Sequence, residues 1–186
     1  MKNYIAGFGF VLMSAGVAFA QTPEISVKIG VINDQSGIYS EHGGVGSIWA
    51  AQKAVEDFGA AAKGIKVEII GADHQNRPDI GTSIARGWFD AENVDAIADA
   101  NSSAVALAIN EIARDKNKVM LNAGAATAEL TGPRCSPNTV QWTNDTWALA
   151  RGVGKAVVEL GGRDWFVITA DYAFGHAMEL DLESAV

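Results

Sequence analysis

Small and hydroxyl-bearing residues recur where apolar, β-branched runs give way to helical patterns. They occur in three pairs along the chain: Ser36 and Gly37, Ser102 and Ser103, and Ala125 and Thr127. The first turn of a helix has backbone N–H groups without a partner and a partial positive charge, so it binds anions. Three such turns at one edge of a sheet predict a pocket for a carboxylate. In the alternative interpretation, each hydroxyl only caps its own helix.

Aromatic residues lie beside the same predicted strand ends, where they would cover the apolar part of a ligand. The candidates are Tyr39, Trp142, Tyr172 and Phe174. Tyr39 is the most informative, because a tyrosine at a loop tip exposes apolar area without a role in the core. Its loop lies within residues 28–46, which we expect to form one wall of the site. By contrast, Trp49, Trp88 and Trp147 fall inside predicted helices and are expected in the core.

No motif in the sequence predicts catalysis, a metal site or a bound cofactor. The glycines near position 44 lack the full dinucleotide fingerprint, and the sequence has no Walker-type loop and no nucleophile elbow. The three histidines have no metal-ligand spacing. His74 follows Asp73, but no nucleophile accompanies this pair, so a structural or solvated histidine is the favoured interpretation. We therefore expect a binding protein, not an enzyme, with no cofactor and no metal.

The composition disfavours several classes of partner. The chain has 14 Lys and Arg against 22 Asp and Glu, a formal net charge of −8. Nucleic acids and anionic lipids both select clustered basic residues, so neither is an expected partner. Cys135 is the only cysteine, which excludes a disulfide within these residues and a zinc site built on several cysteines. An odd cysteine in an exported protein indicates a partner elsewhere or a buried free thiol.

The first twenty residues have the pattern of an export signal. Lys2 supplies the positive charge, residues 5–17 the apolar run, and residues 18–20 (AFA) a small-residue cleavage site. This pattern predicts cleavage before Gln21 and a periplasmic protein without stable membrane insertion. A retained signal anchor is the alternative, although the apolar run is short for a membrane span.

The elements that would position the candidate residues alternate between strand and helix. Strands are predicted at residues 27–32, 65–70, 94–98, 118–122, 140–142 and 165–169. Helices are predicted at residues 46–62, 79–91, 104–115 and 143–160, and another begins near His176. This alternation predicts an α/β fold with a doubly wound parallel sheet.

One segment has the composition of a domain boundary. Residues 131–138 contain two of the four prolines and precede a new helix and strand. The chain then stops a few residues into a predicted helix. We expect an amino-terminal fragment of a longer protein.

Four segments resemble the substrate-binding proteins of branched-chain amino-acid ABC transporters. In chain order they are KIGVINDQSGIY, NSSAVALAINEIA, GAATAELTG and TADYAFG. The resemblance covers essentially everything after the predicted signal. It implies the type I periplasmic-binding-protein fold, in which two α/β lobes close on a ligand. By this comparison residues 24–141 form the first lobe, and residues 142–186 form the truncated start of the second.

The resemblance also implies a function and residue roles. Family members bind an amino acid or related small carboxylate and deliver it to the permease of an ABC importer. Ser102 or Ser103 would hold the ligand carboxylate, Ala125 and Thr127 the carboxylate and ammonium groups, and Phe174 replaces a tyrosine that packs on the ligand. The complete predicted site is Tyr39, Ser102, Ser103, Ala123, Gly124, Ala125, Thr127, Trp142, Tyr172 and Phe174. A ligand-sensing receptor or regulator on the same fold, for an amide or an aromatic acid, is the alternative.

Overall fold

The computed structural model describes residues 25–186, and the predicted export signal lies outside them. Within this part of the chain five strands form one sheet: β1 (Ile25–Asn33), β2 (Ile65–Asp73), β3 (Ala96–Asp99), β4 (Val119–Asn122) and β5 (Thr139–Gln141). Their order is β2-β1-β3-β4-β5, and each neighbouring pair is parallel. The prediction of an α/β fold with a parallel sheet is confirmed.

The same residues form five α-helices: α1 (Gly44–Phe58), α2 (Pro78–Asp90), α3 (Ser103–Asp115), α4 (Thr146–Glu159) and α5 (Ala173–Glu183). Pro78 occupies the first turn of α2, where its missing N–H leaves no hydrogen bond unmade. α1 ends earlier than predicted because Gly59 adopts a left-handed conformation with φ of 66°. None of these helices has the length and apolar character needed to cross a membrane.

One face of the sheet carries the hydrophobic core. Ile32, Ile97 and Met120, on β1, β3 and β4, are at most 1% exposed and pack in one cluster with residues of α2 and α3. Burial of each such side chain contributes about 1.5–3 kcal/mol. Trp88 of α2 lies directly on Gly30 of β1, where a Cβ atom would be 2.3 Å from the indole. The expected core position of Trp88 is therefore correct, and it depends on a glycine in the strand beneath it.

The expectation that Trp49 and Trp147 belong to the core is wrong. Trp49 is 65% exposed and Trp147 is 51% exposed. On α1 the neighbouring Ile48 packs onto Gly71 of β2, and the next residue along a helix is rotated by about 100° away from that contact. On α4 the guanidinium of Arg151 covers the ring of Trp147 at 4.7 Å. A position inside a predicted helix does not specify whether the side chain lies on the buried or the exposed face of that helix.

Residues 165–169 do not form the predicted strand. The segment is an apolar run whose exposure alternates, with Phe166 91% and Ile168 90% exposed. A β-strand also needs hydrogen bonds to a neighbour, and no strand within residues 25–186 pairs with this segment. An apolar run of strand length carries no information on the strand with which it would pair.

The predicted boundary segment consists mainly of turns that precede β5. Cys135 within it is exposed, so the interpretation of a buried thiol is wrong.

α4 begins three residues later than predicted, at Thr146, because Asp145 caps it by accepting a hydrogen bond from the Ala148 N–H at 2.8 Å. The division into lobes at this segment stays a prediction.

Candidate functional site

The order of the strands reverses direction between β1 and β3. From β1 the chain passes to β2 on one side, whereas β3, β4 and β5 follow on the other side. In open parallel sheets such a switch point leaves a crevice at the carboxyl ends of the strands, where ligands bind. The loops after β1, β3 and β4 meet at this edge, and they carry the three predicted small-residue turns.

A cavity of about 340 Å³ lies at this edge, between the loops and the start of α5. Six of the predicted residues line it: Tyr39, Ser103, Gly124, Ala125, Tyr172 and Phe174. Sequence reasoning missed six others: His42, Asn101, Ala126, Thr143, Asn144 and Leu149. The sequence contained one usable signal, since Asn101 directly precedes the two predicted serines in a helix-capping sequence.

The structure does not bring the other four predicted residues to the cavity. Ser102 and Thr127 are fully buried. The Thr127 hydroxyl accepts a hydrogen bond from the Glu129 N–H at 3.3 Å and so caps a 3₁₀ turn at Ala128–Leu130. Ala123 and Trp142 line a separate apolar pocket on the sheet face. A ligand role for these four residues stays a prediction.

The two serines at the start of α3 have different environments. Ser103 is the first helical residue and lines the cavity, next to the N–H groups of the first turn that have no partner within the helix. Ser102 precedes it, and its hydroxyl is buried without a hydrogen-bond partner in the described residues. Of the two, only Ser103 lines the cavity, although it is 2% exposed, and the hydroxyl of Ser102 lies beneath the surface.

Ala125 offers the cavity less polarity than predicted. Its N–H donates to the side-chain oxygen of Asn122 at 3.0 Å. Its carbonyl oxygen accepts from the side-chain amides of Asn122 at 2.6 Å and Gln141 at 3.0 Å. Because both backbone groups are already paired, Ala125 contributes shape to the cavity in this structure.

Buried polar groups fix the loop after β1. The Asp34 carboxylate is fully buried and accepts hydrogen bonds from the N–H groups of Gly37 at 2.7 Å and Tyr39 at 2.9 Å. The Asn101 side chain accepts from the Asp34 N–H at 2.9 Å and donates to the Tyr39 carbonyl at 3.4 Å. Asp34 and Asn101 together set the position of Tyr39.

The end of β3, which leads into Asn101, has a strained backbone. Asp99 and Ala100 adopt φ angles of 77° and 55°, in the left-handed region that side chains with a Cβ disfavour. Each such residue costs on the order of 1–3 kcal/mol, and such strain clusters at functional sites. The Asp99 carboxylate accepts a hydrogen bond from the Asn33 side chain at 3.0 Å, which ties the end of β3 to that of β1.

Three rings form a continuous surface along the cavity, here called the aromatic wall (Tyr39, Tyr172 and Phe174). The Tyr39 hydroxyl donates to the Tyr172 hydroxyl at 2.6 Å, and their ring centroids are 6.0 Å apart. The Phe174 ring is also 6.0 Å from that of Tyr172. Burial, and next the hydrogen bond that the two hydroxyls share, raise the pKa of the Tyr172 phenol. Tyr172 therefore stays neutral and keeps its own proton for donation.

A family model described as a periplasmic binding protein matches residues 26–186. The chain belongs to this family. The resemblance carried by the four sequence segments is thereby confirmed, together with the type I periplasmic-binding-protein fold. No curated protein matches the chain.

Solved structures of the family resemble the chain over most of its length. A periplasmic binding protein from Burkholderia mallei is 46% identical with a TM-score of 0.83, over 86% of this chain and 43% of that one. A branched-chain amino-acid ABC transporter periplasmic ligand-binding protein from Burkholderia xenovorans LB400 is 35% identical with a TM-score of 0.75, over 86% and 42%. An R. palustris solute-binding protein in complex with 4-hydroxybenzoate is 22% identical with a TM-score of 0.75, over 86% and 43%, which shows the fold alone. The chain spans less than half the length of each of these three proteins.

His74 does not line the cavity but lies near the carboxylates of Asp34 and Asp99. It is fully buried, and its Nδ1 accepts a hydrogen bond from the Asn76 N–H at 3.0 Å. Burial lowers the pKa of the imidazole and outweighs the attraction of the carboxylates of Asp34, Asp73 and Asp99. His74 is a neutral structural residue, one of the two roles favoured from sequence.

We expect the free energy of unfolding to fall as the pH drops below about 6.5, and His74→Gln to reduce this fall. The pKa of His74 is lower in the folded than in the unfolded chain. The unfolded chain therefore binds the proton first, and stability rises with pH in this window. Denaturant unfolding at about pH 8 and about pH 5 measures the effect, and the higher pH is the control because position 74 is then neutral in both states. An equal loss in both proteins would contradict the prediction.

A larger cavity, of about 560 Å³, lies between the turn at Ala128–Leu130, α4 and α5. None of the predicted site residues lines it. Its lining includes the carboxylates of Glu129, Asp145 and Asp181, which would repel an anionic ligand. Within the described residues no cluster of side chains is arranged to hold a metal ion. The cavity at Ser103 is therefore the better candidate for carboxylate binding.

Proposed function

We propose that this chain belongs to the extracytoplasmic solute-binding component of an ABC importer. Its ligand is an amino acid of the branched-chain type or another small carboxylate. The observation that carries the proposal is the position of Ser103. It is the first residue of α3 and lines the cavity at the switch point of the sheet. A hydroxyl and free N–H groups at a helix N-terminus are the donors that a carboxylate accepts best. The relative of 35% identity, a branched-chain amino-acid transporter protein, supports this class.

Binding would act by closing two lobes. In the proposed division, residues 24–141 form the first lobe and the second begins at residue 142, so the hydrogen bond from Tyr39 to Tyr172 joins the lobes. A ligand that touches both lobes stabilises the closed state by its greater affinity for that state. The closed form would then deliver the ligand to the membrane permease. The export signal predicted at residues 1–20 and the family match support a periplasmic location, and no catalytic step is part of the proposal.

Calorimetry on the full-length protein tests the proposal. We expect binding of branched-chain amino acids or of other small carboxylates, and no binding of the matching amides, which lack the charged acceptor. Ser103→Ala should weaken carboxylate binding about tenfold or more, since a hydrogen bond to a charged group contributes about 1.5–3 kcal/mol. Ser83→Ala, at an exposed position of α2, is the matched control and should keep full affinity. If no carboxylate in a broad panel binds, the proposal is wrong.

A further inference from the structure

The aromatic wall supplies the three largest apolar side chains that line the cavity. Among residues 25–186, the aliphatic lining comes from Leu149 and the methyl groups of Ala125, Ala126 and Thr143. Both pairs of neighbouring rings in the wall have centroids 6.0 Å apart. This distance lies within the range of about 4.5–7 Å over which aromatic rings attract each other. The rings are only partly buried, so a further ring inside the cavity can join the series.

The wall is held in place by contacts within the protein. Asp34 and Asn101 fix the backbone of Tyr39, and the Tyr39 hydroxyl is bonded to Tyr172. Rings that are already fixed lose little conformational entropy when a ligand packs on them. The favourable energy of contacts between the wall and a ligand is therefore not offset by a cost of ordering the rings, and it can discriminate between ligands.

The polar lining is compatible with a large apolar group. No Asp, Glu, Lys or Arg side chain lines the cavity within the described residues. The nearby Asp34 carboxylate is fully buried and already accepts two N–H groups. The Asp99 carboxylate lines an adjoining pocket that shares Gly124 and Thr143 with the cavity, and it accepts a hydrogen bond from the Asn33 side chain at 3.0 Å. A ring in the cavity would therefore leave neither carboxylate without a hydrogen-bond partner.

We propose that the ligand is a carboxylate that carries an aromatic ring, with the ring on the aromatic wall and the carboxylate at Ser103. The inference rests on the proposed function, since it names the class of carboxylate that the same site takes. A branched aliphatic carboxylate would fill the space but would gain no ring-to-ring attraction.

Matched ligands test the inference by calorimetry on the full-length protein. 3-Phenylpropanoate and 4-methylpentanoate form one pair, and phenylalanine and leucine form the other. Within each pair only a phenyl ring replaces an isopropyl group, and the pairs differ by the amino group. We expect the aromatic member to bind about tenfold or more tightly in every pair that binds.

The outcomes separate this inference from the proposed function. Equal or tighter binding of the aliphatic member overturns the inference and leaves carboxylate binding intact. If another small carboxylate binds but none of these four acids does, the inference is likewise overturned and the proposed function stands. Absence of binding by every carboxylate overturns both.

Variants of the wall test whether its rings cause the preference. Tyr172→Leu and Phe174→Leu should each lower the ratio of aromatic to aliphatic affinity about threefold or more. Because the ratio is taken within one protein, a partly unfolded variant does not distort it. Phe58→Leu, at an exposed ring at the end of α1, should leave the ratio unchanged. Unchanged ratios in both wall variants would overturn the inference.

Discussion

Replacing Gly124 by alanine is expected to lower the stability of the protein and its ligand affinity together. A Cβ atom at this position would lie 2.5 Å from the Asp99 carboxylate and 2.7 Å from the Asn101 Cα. The second contact is with backbone, so it is relieved only if the backbone at Asn101 or the loop that carries Gly124 moves. Overpacking of this kind costs about 1–3 kcal/mol, which lowers Tm by several degrees in a chain of this size.

The loss of affinity follows from the role of Asn101, the residue that an alanine at position 124 would displace. Asn101 positions the loop that carries Tyr39, and Gly124 itself lines the cavity. A shift of the loop would separate the aromatic wall from Ser103, and we expect affinity for the best-bound carboxylate to fall about tenfold or more. Thermal unfolding and calorimetry on the full-length protein measure the two effects.

Gly87→Ala is the matched control for this substitution. Gly87 is exposed within α2, and no atom would lie within 4 Å of an added Cβ. Alanine there should stabilise the helix by about 0.5–1 kcal/mol and leave affinity unchanged. Wild-type Tm and affinity in Gly124→Ala would show that the loop accepts a side chain, and would contradict the close packing described.

Local sequence signals predicted most of the fold. α3 begins within one residue of its predicted start and ends at Asp115 as predicted, because a polar capping sequence precedes its apolar period. β1 and β2 are recognisable from β-branched residues, and parallel pairing follows from the helices between strands. The strand expected at residues 165–169 failed because its pattern is local, whereas pairing depends on distant residues.

The site was less predictable than the fold. Parallel strands bring their carboxyl ends to one edge, so Ser103 and Gly124 could be placed together from sequence. The bonds of Asn101 to Tyr39 and Asp34 join residues 62 and 67 positions apart, and no local pattern reports them. Trp142 follows β5 directly, but a side chain at a strand end takes either face of the sheet, and this one lines a pocket on the sheet face.

Asn101→Ala is expected to release the loop after β1 and to weaken ligand binding strongly. The buried Asp34 N–H would lose its acceptor, which costs about 1–3 kcal/mol, and the Tyr39 carbonyl would lose its donor. Tyr39 would then no longer be fixed against Tyr172, and the ligand would have to order the loop on binding. We expect affinity to fall about tenfold or more, measured by calorimetry on the folded variant.

Asn110→Ala separates this effect from a general loss of stability. Asn110 is a fully buried asparagine of α3, and its side chain donates to the Arg134 carbonyl at 2.9 Å and accepts from the Thr139 hydroxyl at 2.6 Å. Replacing it by alanine should lower the free energy of unfolding by a similar amount, because this too removes two hydrogen bonds made by a buried asparagine. It does not line the cavity, so its affinity should equal that of the wild type. Equal affinities in the two variants would mean that Asn101 stabilises the fold without positioning the aromatic wall.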